Sequence, residues 1–311
     1  MSRLLRPVLL GPLAGPLHGL ERRRFLPSAP PAEGSHVFLT GMPRAGVTGL
    51  LHDLHASGAF ASLGLADLPY AVAPNLLMPR KGGAAASVDE VFWATFDAGA
   101  YIRPDHLAPH RPTPEVMARY VDWIRLILSA RGGTRYLAAG SNTLLRLVPL
   151  ARALPRSTIL ILFRDPFEQA QSLLEAHLAH RADGAAARAV ALASGNLGYG
   201  AAHRPFRFGA AAKGEPVTPD YWLARWCDAY EAALPAESAH MNVAFVPVET
   251  LASDPVAWRK VAHRLELRPT PLTALRPTAP RAPGSFDRAL SARAQALHRR
   301  LSERAALKLV L

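Results

Sequence analysis

The chain has 311 residues, half of them hydrophobic, a formal net charge of +12 and one cysteine, Cys227. Length and apolar content support one large domain with a sizeable core. A single cysteine excludes an internal disulfide and a cysteine metal cluster and fits a reducing cytoplasm, and no apolar run reaches the ~20 residues of a membrane span. The basic residues are spread along the chain rather than gathered in blocks. That distribution disfavours a nucleic-acid partner and leaves an anionic small ligand as a reason for the charge.

In chain order, residues 1–34 read as an irregular lead-in. The stretch from Met1 to Leu20 is rich in Leu, Pro and Gly and lacks the compact apolar core and small-residue site of a signal peptide. Arg22-Arg-Arg24 then leads into a Pro/Ala-rich linker. An α/β domain is expected over 35–267, followed over 268–311 by a proline-rich tail and a C-terminal amphipathic helix from Ser291 to Leu307.

The domain opens with His36-Val-Phe-Leu-Thr-Gly-Met-Pro-Arg-Ala-Gly-Val-Thr48. Val37 to Leu39 read as a buried strand, Gly41, Pro43 and Gly46 as a turn, and Thr48 to Leu54 as the start of a helix. A turn at a helix N-terminus aims unpaired backbone N–H groups at one point, where the helix dipole adds positive charge. Arg44 adds a full charge and a planar fork of donors. The stretch is thus an anion site, most simply for phosphate. It matches the nucleotide-binding pattern G-x-x-x-x-G-K-[ST] at Gly41, Gly46 and Thr48, but Val47 stands where the lysine belongs. Transfer from a nucleoside triphosphate needs that lysine.

Further on, Phe60 to Leu63 suit a second short strand, and Asp67 to Ala86 a loop. Short helices are expected over Val88 to Phe96 and Leu144 to Ala153, and a longer one from Thr113, its cap, to Arg131 before Gly132-Gly133. Tyr136 to Ala139 read as a short apolar strand. Thr158-Ile-Leu-Ile-Leu-Phe163 and Val243-Ala-Phe-Val-Pro-Val248 are unbroken β-prone runs, as in parallel strands buried on both faces. A helix follows Arg164-Asp-Pro166 to about His180, residues 181–219 hold helix and a long loop, and helices close the domain from Tyr221 to Leu234 and from Trp258 to Leu265. Trp93, Trp123, Trp222 and Trp226 fall on core-facing positions. Strands alternating with helices predict a three-layer α/β/α fold around a central parallel sheet. Ligands of such sheets lie beyond the C-terminal strand ends. One of these ends carries Arg164, with Ser172 two turns into the following helix. An arginine and a serine there suit a second phosphate; the alternative is a structural arginine paired with Asp165 and Ser172 as a small helix residue.

The two elements together resemble the PAPS-dependent sulfotransferases. Their signature is a strand, a G-x-P-[KR]-[SA]-G-[TS]-T loop, and a later strand ending in R-D-P with a serine eight positions after the arginine. Here Gly41-Met-Pro-Arg-Ala-Gly-Val-Thr48 and Arg164-Asp-Pro…Ser172 follow that order. Bacterial sulfotransferase-family proteins are also similar at Phe60-Ala-Ser-Leu63, Glu90-Val-Phe-Trp93, Tyr136 to Asn142, Leu144-Leu-Arg-Leu147, His203-Arg-Pro-Phe206 and Asp220-Tyr-Trp222. The resemblance covers residues 36 to about 265 and implies a fold of the nucleotide-kinase-like P-loop type.

It implies 3′-phosphoadenosine-5′-phosphosulfate (PAPS) as donor, adenosine 3′,5′-bisphosphate as product, and a hydroxyl or amine of a small molecule, glycan or lipid as acceptor. By resemblance, Pro43, Arg44, Ala45, Gly46, Val47, Thr48 and Gly49 hold the phosphosulfate, with Arg44 also catalytic, and Arg164 and Ser172 hold the 3′-phosphate. A carboxylate or histidine takes the acceptor's proton, for which Glu90, Asp89 and His203 are candidates. No metal-ligand spacing such as H-E-x-x-H occurs, so no metal is expected. Val47, in place of the loop's first threonine, removes one hydroxyl contact. That departure supports a second reading, a degenerate member that binds nucleotide without turnover; the remaining alternative, a P-loop phosphotransferase, predicts a lysine at position 47, where Val47 stands.

Overall fold

The computed structural model describes residues 11–68, 70–78, 83–209, 213–276 and 285–309. Its centre is a four-stranded parallel sheet of β1 (Val37–Thr40), β2 (Leu137–Ala139), β3 (Thr158–Phe163) and β4 (Val243–Pro247), in the order β2-β1-β3-β4. Leu39 lies opposite Ala139 and Leu160, and Phe163 opposite Pro247. The expected strand from Phe60 to Leu63 reduces to one parallel bridge, Ala61 to Tyr136. Two residues on, the Leu63 carbonyl accepts from the Ala85 amide at 2.9 Å.

The unbroken apolar runs are explained by the layers. Side chains alternate across a strand, so each strand must supply two cores. Phe38, Ile159, Ile161, Phe163 and Phe245 pack in one, with α6 (Pro114–Arg131), α8 (Pro166–His180) and α10 (Pro219–Ala239). Val37, Leu39, Leu160, Leu162 and Val246 pack in the other, with α2 (Val47–Ala56), α11 (Val248–Ser253) and α12 (Pro255–Arg264). Each fully buried side chain of this kind contributes about 1.5–3 kcal/mol of transfer free energy. Trp93, Trp123, Trp222 and Trp226 are all buried in the first core.

Local chemistry sets the helix ends. The Thr113 hydroxyl accepts from the amide of Val116, Pro114 opens α6, and Gly132 closes it at φ 68°. Asp165 caps α8, accepting from the amides of Phe167 and Glu168 at 3.0 Å each. The remaining short helices are α3 (Pro74–Leu77), α4 (Glu90–Phe96), α5 (Ala98–Tyr101), α7 (Leu147–Ala153) and α9 (Ala185–Ser194).

Two further expectations are corrected. The lead-in is not irregular throughout: residues Gly11–Phe25 form helix α1 despite Pro16. Tertiary contacts override the local preference. Glu21 accepts from the amides of Asn75 and Leu76, and Arg22 pairs with Asp122 of α6 at 2.5 Å. Nor does the C-terminal helix stand apart as part of a tail. It runs as α13 (Arg288–Leu309), with Leu297, Leu301 and Ala305 buried in the first core. Lys308 donates to the carbonyls of His240 and Val243 at 2.9 and 2.8 Å, fixing its end to the entrance of β4.

Candidate active site

Strands β1, β2 and β3 deliver their C-terminal ends to one edge. The Thr40 hydroxyl donates to the Gly140 carbonyl at 2.8 Å, and the Gly140 amide to the Leu39 carbonyl at 2.9 Å, so the exits of β1 and β2 are tied together. Beyond β1 the chain turns through residues 41–46 into α2. Two side chains clamp that turn from below. Gln169 of α8, fully buried, donates to the carbonyls of Met42 and Pro43 at 3.2 and 3.0 Å. The Tyr230 hydroxyl accepts from the Met42 amide at 3.2 Å and donates to the Leu162 carbonyl at 2.7 Å.

Arg44 sits at φ 71° and Gly46 at 85°. Glycine takes that region freely, whereas a non-glycine residue there costs on the order of 1–3 kcal/mol. The strain at Arg44 aims its side chain across the loop. Arg44 Nε donates to Ser172 Oγ at 3.0 Å, joining two sequence elements 128 residues apart. Arg164, at the end of β3, donates to the Arg44 carbonyl at 3.4 Å and is flanked by Glu249 and Glu168 at 3.3 and 3.4 Å. Helix α2 starts at Val47, so the amides of its first turn have no acceptor within the helix.

A cleft of about 690 Å³ opens over this loop, lined by Pro43, Arg44, Gly46, Val47, Thr48, Gly49 and Arg164 among others. Ser172 is buried behind it, under Arg44, and Ala45 is buried beneath the loop. The Val47 side chain is folded into the core under α2 and offers the cleft no polar atom.

Glu90 and His203, expected as proton acceptors, do not line the cleft. Glu90 is buried in a two-pronged ion pair with Arg146 at 2.8 and 2.9 Å and accepts from the Tyr101 hydroxyl at 2.5 Å. Burial would raise its pKa, but the Arg146 charge and these hydrogen bonds outweigh that and hold it below the usual carboxylate range. A carboxylate so committed does not collect a proton from a substrate. It is a structural group here. His203 lies beyond Pro43, its Nε2 2.8 Å from the Tyr221 hydroxyl and its ring against Trp222. Burial, with the neighbouring His177, pulls its pKa down to about 4. Asp89 is buried beside Tyr120, whose hydroxyl is 3.4 Å away; burial and then the Glu90 charge push it up to about 7.

Residues that the sequence did not single out complete the cleft. His52 lies four positions after Thr48 on α2 and faces the same space. Arg276 is brought in by the segment 273–276, which Asp53 ties to α2: its carboxylate accepts from the amides of Thr273, Ala274 and Leu275 at 2.8–2.9 Å. Asn196 and Tyr199 also line the cleft. Their loop packs so closely on Pro43 that a Cβ at Gly198 would fall 2.5 Å from the proline ring. Only the helical spacing of His52 was visible in the sequence; the other contacts span distant segments. Among the described residues, no group of three or more His, Cys, Asp or Glu side chains is placed to hold a metal ion. No helix among them is long and apolar enough to cross a membrane.

No protein-family model matches the chain, and no curated protein does. Among solved structures, the chain is similar to sulfotransferase STF9 from Mycobacterium avium, at 10% identity over 91% of this chain and 72% of that one, with a TM-score of 0.47. It is similar to a sulfotransferase from Alicyclobacillus acidocaldarius, at 14% identity over 88% and 95% of the two chains, with a TM-score of 0.44. It is also similar to sulfotransferase STF1 from Mycobacterium tuberculosis H37Rv, at 15% identity over 81% and 73%, with a TM-score of 0.45.

Proposed function

We propose that the protein is a sulfotransferase that takes its sulfuryl group from PAPS and delivers it to a hydroxyl or amine. The observation that carries this is the meeting of Arg44, Ser172 and Arg164 at the C-terminal edge of the sheet, beside the first turn of α2. One anion fits the α2 amides and the Thr48 hydroxyl, and a second fits Arg164 and Ser172. Two separate anion subsites match a donor with phosphate at both the 5′ and 3′ positions. A triphosphate would need one long cradle and a lysine at position 47.

The bound donor supplies an activated sulfuryl group on a phosphate leaving group. The loop amides and Arg44 offset the negative charge that gathers there during transfer. Arg44 is exposed, and moving it from Ser172 toward the leaving group frees the Ser172 hydroxyl for the 3′-phosphate. The acceptor's proton is assigned to His52, the imidazole that lines the cleft. The second reading, nucleotide binding without turnover, is favoured by the core-facing Val47 side chain.

Thermal unfolding in the presence of adenosine 3′,5′-bisphosphate tests the assignment. At ~100 times its dissociation constant the ligand should stabilise the protein by about 2.7 kcal/mol. ATP with Mg²⁺ should do much less. Stabilisation by ATP and not by the bisphosphate would replace this reading with a phosphotransferase. Bisphosphate binding without transfer of labelled sulfate to any acceptor would favour the second reading.

A further inference from the structure

A second large groove, of about 770 Å³, lies where the chain enters β4 and α13 ends, lined by Met241 and Leu309 among others. We propose that it binds an amphiphile with a single aliphatic chain and an anionic head. Val248, just past the far end of β4, lines the donor cleft, so the 5 residues of the strand, roughly 16 Å, separate the two places. The groove is thus a site of its own, independent of the sulfotransferase reading.

Three segments are pinned together to form it. Arg264 of α12 donates to the carbonyls of Lys308 and Met241, and Lys308 donates to those of His240 and Val243. Lys308 also pairs with the buried Glu237 at 3.1 Å. These two cations are committed to holding the walls. Between the walls lie Met241, Val256, Leu267, Pro269 and Leu309, an aliphatic surface without an aromatic ring. Met241 and Val256 are 67% and 46% exposed, so apolar area that a hydrocarbon chain would cover is left in water.

One face of α12 supplies the charge. Val256, Arg259, Lys260 and His263 follow the i, i+3, i+4, i+7 spacing of a helix face, and all four line the groove. Arg259, Lys260 and His263 make no ion pair or side-chain hydrogen bond among the described residues. No aspartate or glutamate lines the groove. Unpaired donors beside an aliphatic surface match an anionic head on an aliphatic chain and would repel an ammonium head. Size narrows the occupant further. The volume falls in the roughly 300–1,000 Å³ of small-ligand sites. About ten residues line it, against roughly 20–30 on each side of a stable protein interface. A flat bilayer surface does not enter a concave groove, whereas one chain does.

Calorimetric titration of the full chain with sodium decanoate, 1-decanol and sodium butyrate, all below their micelle-forming or solubility limits, tests the site. Decanoate should bind at least about tenfold more tightly than decanol, which keeps the chain and loses the charge. Butyrate, which keeps the charge and loses most of the chain, should not bind measurably. Arg259→Glu combined with Lys260→Glu should weaken decanoate at least about tenfold and leave decanol binding unchanged. Both side chains are exposed and unpaired, so the unfolding temperature and adenosine 3′,5′-bisphosphate affinity should also stay as they are. Met241→Ser should weaken decanoate and decanol alike. Absence of decanoate binding, equal affinity for decanoate and decanol, or decanoate binding that ignores the charge reversal would overturn the proposal. So would binding to phosphatidylglycerol vesicles without binding of free decanoate, which would make this face a membrane-docking surface. Decanoate binding that appears only after Val310 and Leu311 are deleted would show that these two residues fill the groove, and would overturn it as well.

Discussion

At the residue scale, the centre of the site is a contest for Ser172. Its hydroxyl is held by Arg44 at 3.0 Å, yet it belongs to the pair assigned to the donor's 3′-phosphate. Arg44 is exposed and strained at φ 71°, so releasing it costs little burial. His52 is assigned a different task. Replacing it with glutamine, His52→Gln, keeps a polar side chain but removes the titratable group. Sulfate transfer should fall by roughly 10²–10⁴-fold while bisphosphate affinity changes by less than about threefold. Unchanged turnover would show that another group takes the proton. The buried Glu90–Arg146 pair shows why sequence alone chose differently. A carboxylate at a helix start invites a catalytic reading, and the arginine that neutralises it lies 56 residues away. Nothing local marks the two as partners.

Short elements decide how the cleft is closed. The turn after β1, the helix that follows it and the Arg164 strand end were legible as structure because their spacing is local and is dictated by helix ends and buried strands. The wall at Asn196 and Tyr199 and the segment at 273–276 were not. Each is held by single side chains reaching across the fold: Asn142 and His177 for the first, Asp53 for the second. Asp53 is also below its ordinary pKa. Burial opposes this, but three backbone amides and the Thr273 hydroxyl favour the ionised form. Asp53→Ala should lower stability by on the order of 1–2 kcal/mol through lost charge-assisted hydrogen bonds. It should also weaken bisphosphate binding several-fold, because Leu275 and Arg276 line the cleft. Chemical denaturation with a parallel binding titration checks both. A variant that is destabilised but binds normally would show that the segment supports the fold and not the ligand. The N-terminal helix α1 gives the same lesson in reverse: its prolines and glycines argued for irregular chain, and packing on α6 overrides them.

For the whole molecule, the parallel sheet with two covered faces followed from the apolar runs at Thr158 and Val243. What composition could not show is how many histidines fold up neutral. His18, His36, His110 and His203 are each drawn down to about 4, chiefly by burial. In the unfolded chain they titrate near 6.5. Between those values the unfolded state binds protons that the folded state refuses, so stability falls as pH drops from about 6.5 toward 4. Asp89, raised to about 7, works the other way, since the folded state takes its proton first. One such group does not offset four. Tm should be nearly flat above pH 7 and fall steadily below 6.5; a Tm that holds to pH 4.5 would show that these histidines are protonated in the folded protein. The proposed function turns on whether the cleft reads a 3′-phosphate. Calorimetric titration of the wild-type chain with adenosine 3′,5′-bisphosphate and with adenosine 5′-monophosphate measures that directly. Two charge-assisted contacts of roughly 1.5–3 kcal/mol each, at Arg164 and Ser172, predict at least about 100-fold tighter binding of the bisphosphate, a preference that Arg164→Ala should cut at least about tenfold. Equal affinity for the two nucleotides in the wild-type protein would contradict the assignment.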